Sequence, residues 1–115
     1  MDIEFLRRIC LSLPGATEDV KWGNDLVFSV AEKMFCATSL ETPFKISFKV
    51  GDDDFENLTD RQGFEPAPYL ARAKWVAVMD PTVLNQEDWI KYINHSYQLI
   101  KDKLPKKTRL SLGLE

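Results

Sequence analysis

The sequence has little of what metal chemistry or a disulfide scaffold needs. Among its 115 residues there is one histidine, His95, and there are two cysteines, Cys10 and Cys36. A multi-histidine metal site and a histidine relay are thereby excluded, and two thiols are too few for a disulfide framework. The longest unbroken apolar run is five residues, 75–79, far short of the roughly 20 that a bilayer-spanning helix requires. Residues 1–4, Met-Asp-Ile-Glu, carry neither the basic start nor the apolar stretch of a secretory signal. The expectation is a cytoplasmic protein with reduced thiols and no membrane association. Positive charge is not in excess either. Fifteen Lys and Arg stand against eighteen Asp and Glu, a net charge of −3. The chain as a whole is no polycation that would bind nucleic acid indiscriminately. Any such binding has to come from a local patch.

What the sequence does have is core material. Hydrophobic residues make up 44%, with seven Phe, three Trp and three Tyr, and a composition of that kind excludes a disordered chain. The length suits one domain that can bury a sizeable core without staples. A single domain over residues 1–115 is expected, with a basic flexible tail after about residue 106.

The patterning opens with a helix. Ile3, Leu6, Ile9, Cys10 and Leu13 form one apolar stripe, Asp2 can cap its start, and Pro14-Gly15 ends it. A polar loop, 16–19, leads into a short extended piece at 20–22 and a Gly23-Asn24-Asp25 turn. Residues 26–30 read as a strand with Leu26, Phe28 and Val30 on one face, and Ala31-Glu32 turns into an extended run at 33–40. The clearest strand is 44–50, where Phe44, Ile46, Phe48 and Val50 alternate with Lys45, Ser47 and Lys49. One buried and one wet face produce such alternation. Asp52, Asp53 and Asp54 then open a short helix holding Phe55 and Leu58, where acidic residues complement the helix dipole. Residues 64–69 read as an extended linker with two prolines, and 75–79 as a last strand. The longest helix runs from about 86 to 103, with Asn85 as its cap and Trp89, Ile90, Ile93, Tyr97, Ile100 and Leu104 as its stripe. The fold class is therefore α/β (α+β): one antiparallel sheet of about five strands, with the first and last helices on one face. The other face is left at least partly open.

Several short pieces in series carry a resemblance. They are Leu13-Pro14-Gly15, Trp22-Gly23, the hairpin at 28–36, the strand at 45–49, Pro66-Ala67-Pro68-Tyr69-Leu70, Lys74-Trp75-Val76, Ser96-Tyr97 and Leu104-Pro105-Lys106. In that order they resemble the MmcQ/YjbR family of small bacterial proteins, over about residues 2–107. The resemblance implies a CyaY-like fold, a sheet with helices on one side. It also implies DNA binding, because the architecture is similar to a double-wing DNA-binding module, and it brings no established catalytic residues. The CyaY-like likeness extends to frataxin, whose first helix bears an acidic iron-handling ridge. Here that helix has only Asp2 and Glu4, followed by Arg7 and Arg8, which speaks against iron.

Each candidate residue has a chemical and a plain reading. His95 falls opposite the core stripe of the last helix, with no partner placed beside it by spacing, and reads as a solvated surface residue. The acidic run at 52–54 with Glu56 lacks the ligand order of a calcium loop and reads as helix capping. Cys10 lies on the core stripe, and the face that holds Cys36 is ambiguous. Lys45 and Lys49 flank Ser47 on the wet side of the clearest strand, and Arg72 and Lys74 sit beside Tyr69 and Trp75. Basic groups interleaved with aromatics are the composition of a nucleic-acid platform, and lysines on a strand also keep edges soluble. A second basic cluster includes Lys106 and Lys107: five bases against Asp102 over 101–109, net +4, oppose a net −5 over 52–60. The expectation is a non-enzymatic binding module, without cofactor or metal, that takes DNA or other nucleic acid through a basic open face. Its phosphate contacts would be Lys45, Lys49, Arg72, Lys74, Lys106 and Lys107, with Tyr69 and Trp75 as aromatic neighbours. The alternative is a protein-interaction or chaperone-like adaptor module using the same face. A third reading is a small-molecule binder or enzyme with a pocket between sheet and long helix.

Overall fold

The computed structural model describes residues 1–41, 45–68 and 70–114. The expectations placed on Phe44 and Tyr69 lie outside the described residues.

Helix α1 (Ile3–Leu11) starts where Asp2 Oδ1 accepts the Phe5 N–H at 2.8 Å, and it buries Leu6, Ile9 and Cys10. The polar stretch after it is not a loop. It forms most of strand β1 (Ala16–Lys21), paired antiparallel with β2 (Asp25–Val30). The register puts Glu18 on the helix side of the sheet, where a carboxylate is costly unless paired. At this edge strand it accepts from Arg7 of α1 at 2.7 and 2.9 Å, and the Arg7 guanidinium holds its carboxyl below the usual carboxylate range.

Strand β3 (Lys33–Ser39) returns through Ala31 and Glu32, both at positive φ, 49° and 66°. Two left-handed residues in succession make the tight hairpin whose twist matches that of the strands. Phe28 faces Cys36 but Ser29 faces Met34, so Phe35 is an extra residue, a β-bulge. Consequently Phe35 and Cys36 both enter the core, and Met34 goes to the opposite face. Strand β4 (Ile46–Lys49) sends Ile46 and Phe48 into the core, followed by Val50. Helix α2 (Asp52–Thr59) carries three aspartates in its first turn, as expected, and buries Leu58.

The stretch predicted as a linker contains a strand, β5 (Phe64–Pro66), which pairs with β6 (Trp75–Val78). Proline has no N–H for a ladder and is tolerated at a sheet edge, and β5 is an edge. The sheet order is β1-β2-β3-β4-β6-β5, six strands in place of about five.

Helix α3 (Gln86–Asp102) is capped by Asn85 Oδ1, which accepts the Asp88 N–H at 2.8 Å. It buries Trp89, Ile93, Ser96 and Tyr97. Ile90, expected in the stripe, is 43% exposed, and Ser96 is fully buried. The Ser96 hydroxyl donates to the Phe35 carbonyl at 2.6 Å and accepts the Lys49 N–H at 3.0 Å. These are the backbone groups that the bulge prevents from meeting between β3 and β4. The Trp89 indole donates to Pro81 O at 3.1 Å and the Tyr97 hydroxyl to Pro14 O at 2.5 Å, tying α3 to two loops. The expected flexible tail is also replaced: Lys106–Ser111 is a helix, α4, and Leu114 beyond it is buried in the core. Helices α1 and α3 both lie on one sheet face, as the stripes require. Among the described residues no helix is long and apolar enough to cross a membrane.

Two substitutions test this core. Phe48→Ala is expected to cost ~3–5 kcal/mol of unfolding free energy, because it removes a fully buried ring packed edge-on against Trp89. Ser96→Ala leaves two buried backbone groups unpartnered and is expected to cost about 2 kcal/mol or more, read by urea denaturation, although it removes a single atom.

Candidate functional site

The sheet face away from the helices is organised in rows by the strand register. Directly opposed residues share a face, so Lys21, Asp25, Ser39 and Lys45 stand side by side across β1 to β4, Lys45 immediately preceding β4. The next row runs through Asp19, Val27, Ala37, Ser47, Ala77 and Glu65. Lys49 and Trp75 lie opposite one another further along.

Only part of this face is uncovered. The chain between β5 and β6 folds back over its far end, where Ala67, Trp75 and Ala77 form a small second apolar cluster with Met34 and Leu70 against it. Trp75 is 4% exposed, so its ring is packing material there and presents no stacking surface. Lys49 is likewise buried, and its ammonium group donates to the Ala73 carbonyl. Burial, reinforced by the charges of Lys103 and Lys74 and opposed by Asp52, pushes the Lys49 pKa below the usual lysine range. Lys74 adopts a left-handed conformation, φ 62°, between a short 3-10 turn at Ala71–Ala73 and β6, and its ammonium sits 5.0 Å from the centre of the Phe55 ring. Arg72 in that turn is exposed.

At the other end the face opens into a groove of about 570 Å³. Its floor is Met34, Ala37 and Ser47, one wall is Ala67, Pro68 and Leu70, and Trp22, Asp25 and Lys45 complete the lining. Trp22 is 70% exposed, the most exposed large hydrophobic side chain among the described residues. It is held out by the β1–β2 turn, where Trp22 and Gly23 both have positive φ, 51° and 88°. Neither Asp25 nor Lys45 has a side-chain hydrogen bond or ion pair among the described residues.

Of the expected cations, Lys49 and Lys74 are brought together, Arg72 is near in sequence, and Lys45 stands about 13 Å along the strand from Lys49. Lys106 and Lys107 are exposed in the first turn of α4 and do not line the groove. Sequence reasoning missed Trp22 and Asp25. The available signal was a tryptophan directly before a glycine turn, at the hairpin end beyond the paired strands.

The family profile of YjbR matches residues 11–99. The chain belongs to the YjbR family. It is similar to the crystal structure of DR2400 from Deinococcus radiodurans, described as a DUF419 domain: 28% identity, a TM-score of 0.88, and coverage of 98% of this chain and 88% of that one. A protein from Pseudomonas syringae shares the fold at a TM-score of 0.71, with 17% identity over 86% of this chain and 98% of that one. No curated protein matches.

Other chemistry-bearing residues of this YjbR-family chain have local roles. Cys10 and Cys36 are both free and buried, which settles the face of Cys36, and burial together with the neighbouring Cys36 raises the Cys10 thiol pKa. Among the described residues no group of three or more His, Cys, Asp or Glu is placed to hold a metal ion. His95 is exposed on the outer side of α3. His95→Ala is expected to change stability by no more than ~0.5 kcal/mol in urea denaturation and to leave ligand binding unchanged.

Proposed function

We propose that this protein is a non-enzymatic binding module that takes single-stranded nucleic acid in the groove of its open sheet face. The observation that carries this reading is Trp22, 70% exposed at a groove that Lys45 also lines. An exposed indole is a surface on which any unpaired base can stack, and a neighbouring cation takes the adjoining phosphate. A duplex offers no free base face, so the nucleic acid is single-stranded. Lys21 and Lys45 against Asp25 leave the polar row with a local excess of one positive charge. Arg72, exposed in the 3-10 turn, adds a cation at the covered end, while the Lys74 ammonium is turned to Phe55 of α2. Lys49, expected among the phosphate contacts, is left out of this surface because its amino group is buried and held by the Ala73 carbonyl.

A protein partner is the second reading, favoured by the apolar floor and wall formed by Met34, Ala37, Ala67 and Leu70. Salt separates the two. Each phosphate contact to a single strand adds about 0.7 to the slope of log affinity against log salt, whereas an apolar interface is nearly insensitive. The test is fluorescence anisotropy of labelled short oligonucleotides across a salt series. Trp22→Ala is expected to weaken binding by roughly tenfold, as loss of one stacked base requires. Lys45→Glu is expected to weaken it and to flatten the slope by about 0.7 or more. Absence of binding at about 50 mM salt, where phosphate contacts are strong, removes the nucleic-acid reading.

A further inference from the structure

The groove contains one feature that a purely phosphate- and stacking-based site does not need. Asp25 lines it beside Trp22 and Lys45, half-buried, its carboxylate without a hydrogen bond or ion pair among the described residues. An anion beside a nucleic-acid strand repels phosphate, so its presence there calls for a donor-rich partner. We infer that Asp25 reads the base stacked on Trp22 and selects guanine; this rests on the nucleic-acid reading of the groove.

Donor and acceptor matching decides which base suits the site. A carboxylate only accepts hydrogen bonds, and it presents two oxygens side by side. The edge it prefers therefore carries two adjacent N–H donors. Unpaired bases are read on their Watson–Crick edges. There guanine offers N1–H next to N2–H. Adenine and cytosine offer one amino group beside a ring-nitrogen acceptor, and thymine offers one N–H flanked by two carbonyl oxygens. Only guanine meets both carboxylate oxygens with donors, and with thymine the lone pairs confront each other.

The placement fits this geometry. Asp25 is three residues from Trp22, at the far side of the Gly23-Asn24 turn, so base face and base edge are addressed by one hairpin end. Lys45 lies two strands away across Ser39, about 10 Å at the usual strand spacing. That separation is comparable with the reach of a nucleotide from base edge to phosphate. Lys21, opposite Asp25 on β1, provides a second cation on the other side.

The experiment compares three pentanucleotides with the wild-type protein and with Asp25→Asn, by anisotropy at one fixed salt concentration. One is all thymidine, one carries a central guanine, and one a central hypoxanthine, which keeps N1–H and lacks the N2 amino group. The guanine oligonucleotide is expected to bind wild type about tenfold more tightly than the thymidine one, as for a bidentate base contact. Hypoxanthine is expected to lose most of that gain, and Asp25→Asn to abolish the preference while the thymidine oligonucleotide still binds. Equal binding of all three to wild type, or a guanine preference that survives in Asp25→Asn, overturns the inference and leaves the nucleic-acid reading standing. Binding of none of the three overturns both. The hypoxanthine arm needs no protein variant, so equal binding of hypoxanthine and guanine overturns the inference even where Asp25→Asn folds poorly.

Discussion

The bulge at Phe35 determines which side chains face the helices and which face the groove, and the Ser96 hydroxyl is what makes the bulge tolerable. An extra residue in β3 leaves the Phe35 carbonyl and the Lys49 N–H without each other, in a region where no solvent reaches. Two unsatisfied backbone groups there would destabilise the sheet. Ser96, projecting from α3, inserts one oxygen that accepts from one group and donates to the other. Because side chains alternate strictly along a strand, one inserted residue reverses the face of everything beyond it. Without the bulge Phe35 would lie on the open face and Met34 in the core. With it, Phe35 packs edge-on against Tyr97 at 5.4 Å and Met34 becomes the groove floor. A polar contact between helix and sheet thus shapes the opposite side of the molecule.

The two ends of the open face differ for a second reason, the path of the chain between β5 and β6. The ladder ends with Ala67 donating to Trp75 O, Pro68 has no N–H to extend it, and the left-handed Lys74 turns the chain sharply back into β6. The intervening segment therefore lies over one end of the face, where it covers Trp75 and takes the Lys49 amino group. Lysines on the same strand face then have different roles. Lys49 spends its charge inside the fold, and Lys45, four residues away, keeps its own for whatever enters the groove.

The parts legible in the sequence were those in which one face decides. The stripes Leu6-Ile9-Cys10 and Trp89-Ile93-Tyr97 and the alternation of Ile46 and Phe48 follow directly from burial on one side. What escaped were positions where a specific partner overrides composition. Strand β1 looked like a loop because Glu18 occupies an inward position, and only Arg7, on another element, makes that acceptable. Strand β5 was hidden by its prolines, which an edge strand accommodates. Ser96 displaced Ile90 from the expected core because a hydroxyl was needed there, a demand invisible until the bulge is known. The aromatic of the candidate site was misplaced for the same kind of reason: Trp75 is packed beneath a returning loop, and Trp22 is held out by a turn.

Net charge is a poor guide to what the groove attracts, and the distances say why. The acid excess is concentrated on Asp52, Asp53 and Asp54 of α2, whose Leu58 packs into the helix-side core. The Lys21, Asp25 and Lys45 row is on the opposite face, at the end of the strands away from Lys49, the lysine that Asp52 influences. The molecule is 27 Å across even in its shortest dimension, and at physiological ionic strength charges are screened beyond about 8 Å. An entering strand therefore meets the charges of this face, the row of two ammonium groups with a carboxylate between them and, one row on, Asp19 and Glu65, and little of the acid excess on α2. Such an alternation is weak as a magnet for a polyanion but strong as a template: it favours a partner whose own charges and donors alternate at the spacing of strands, phosphate at either side and a donor-bearing edge between. Affinity would come from the indole and the apolar floor, and the polar row would decide what fits.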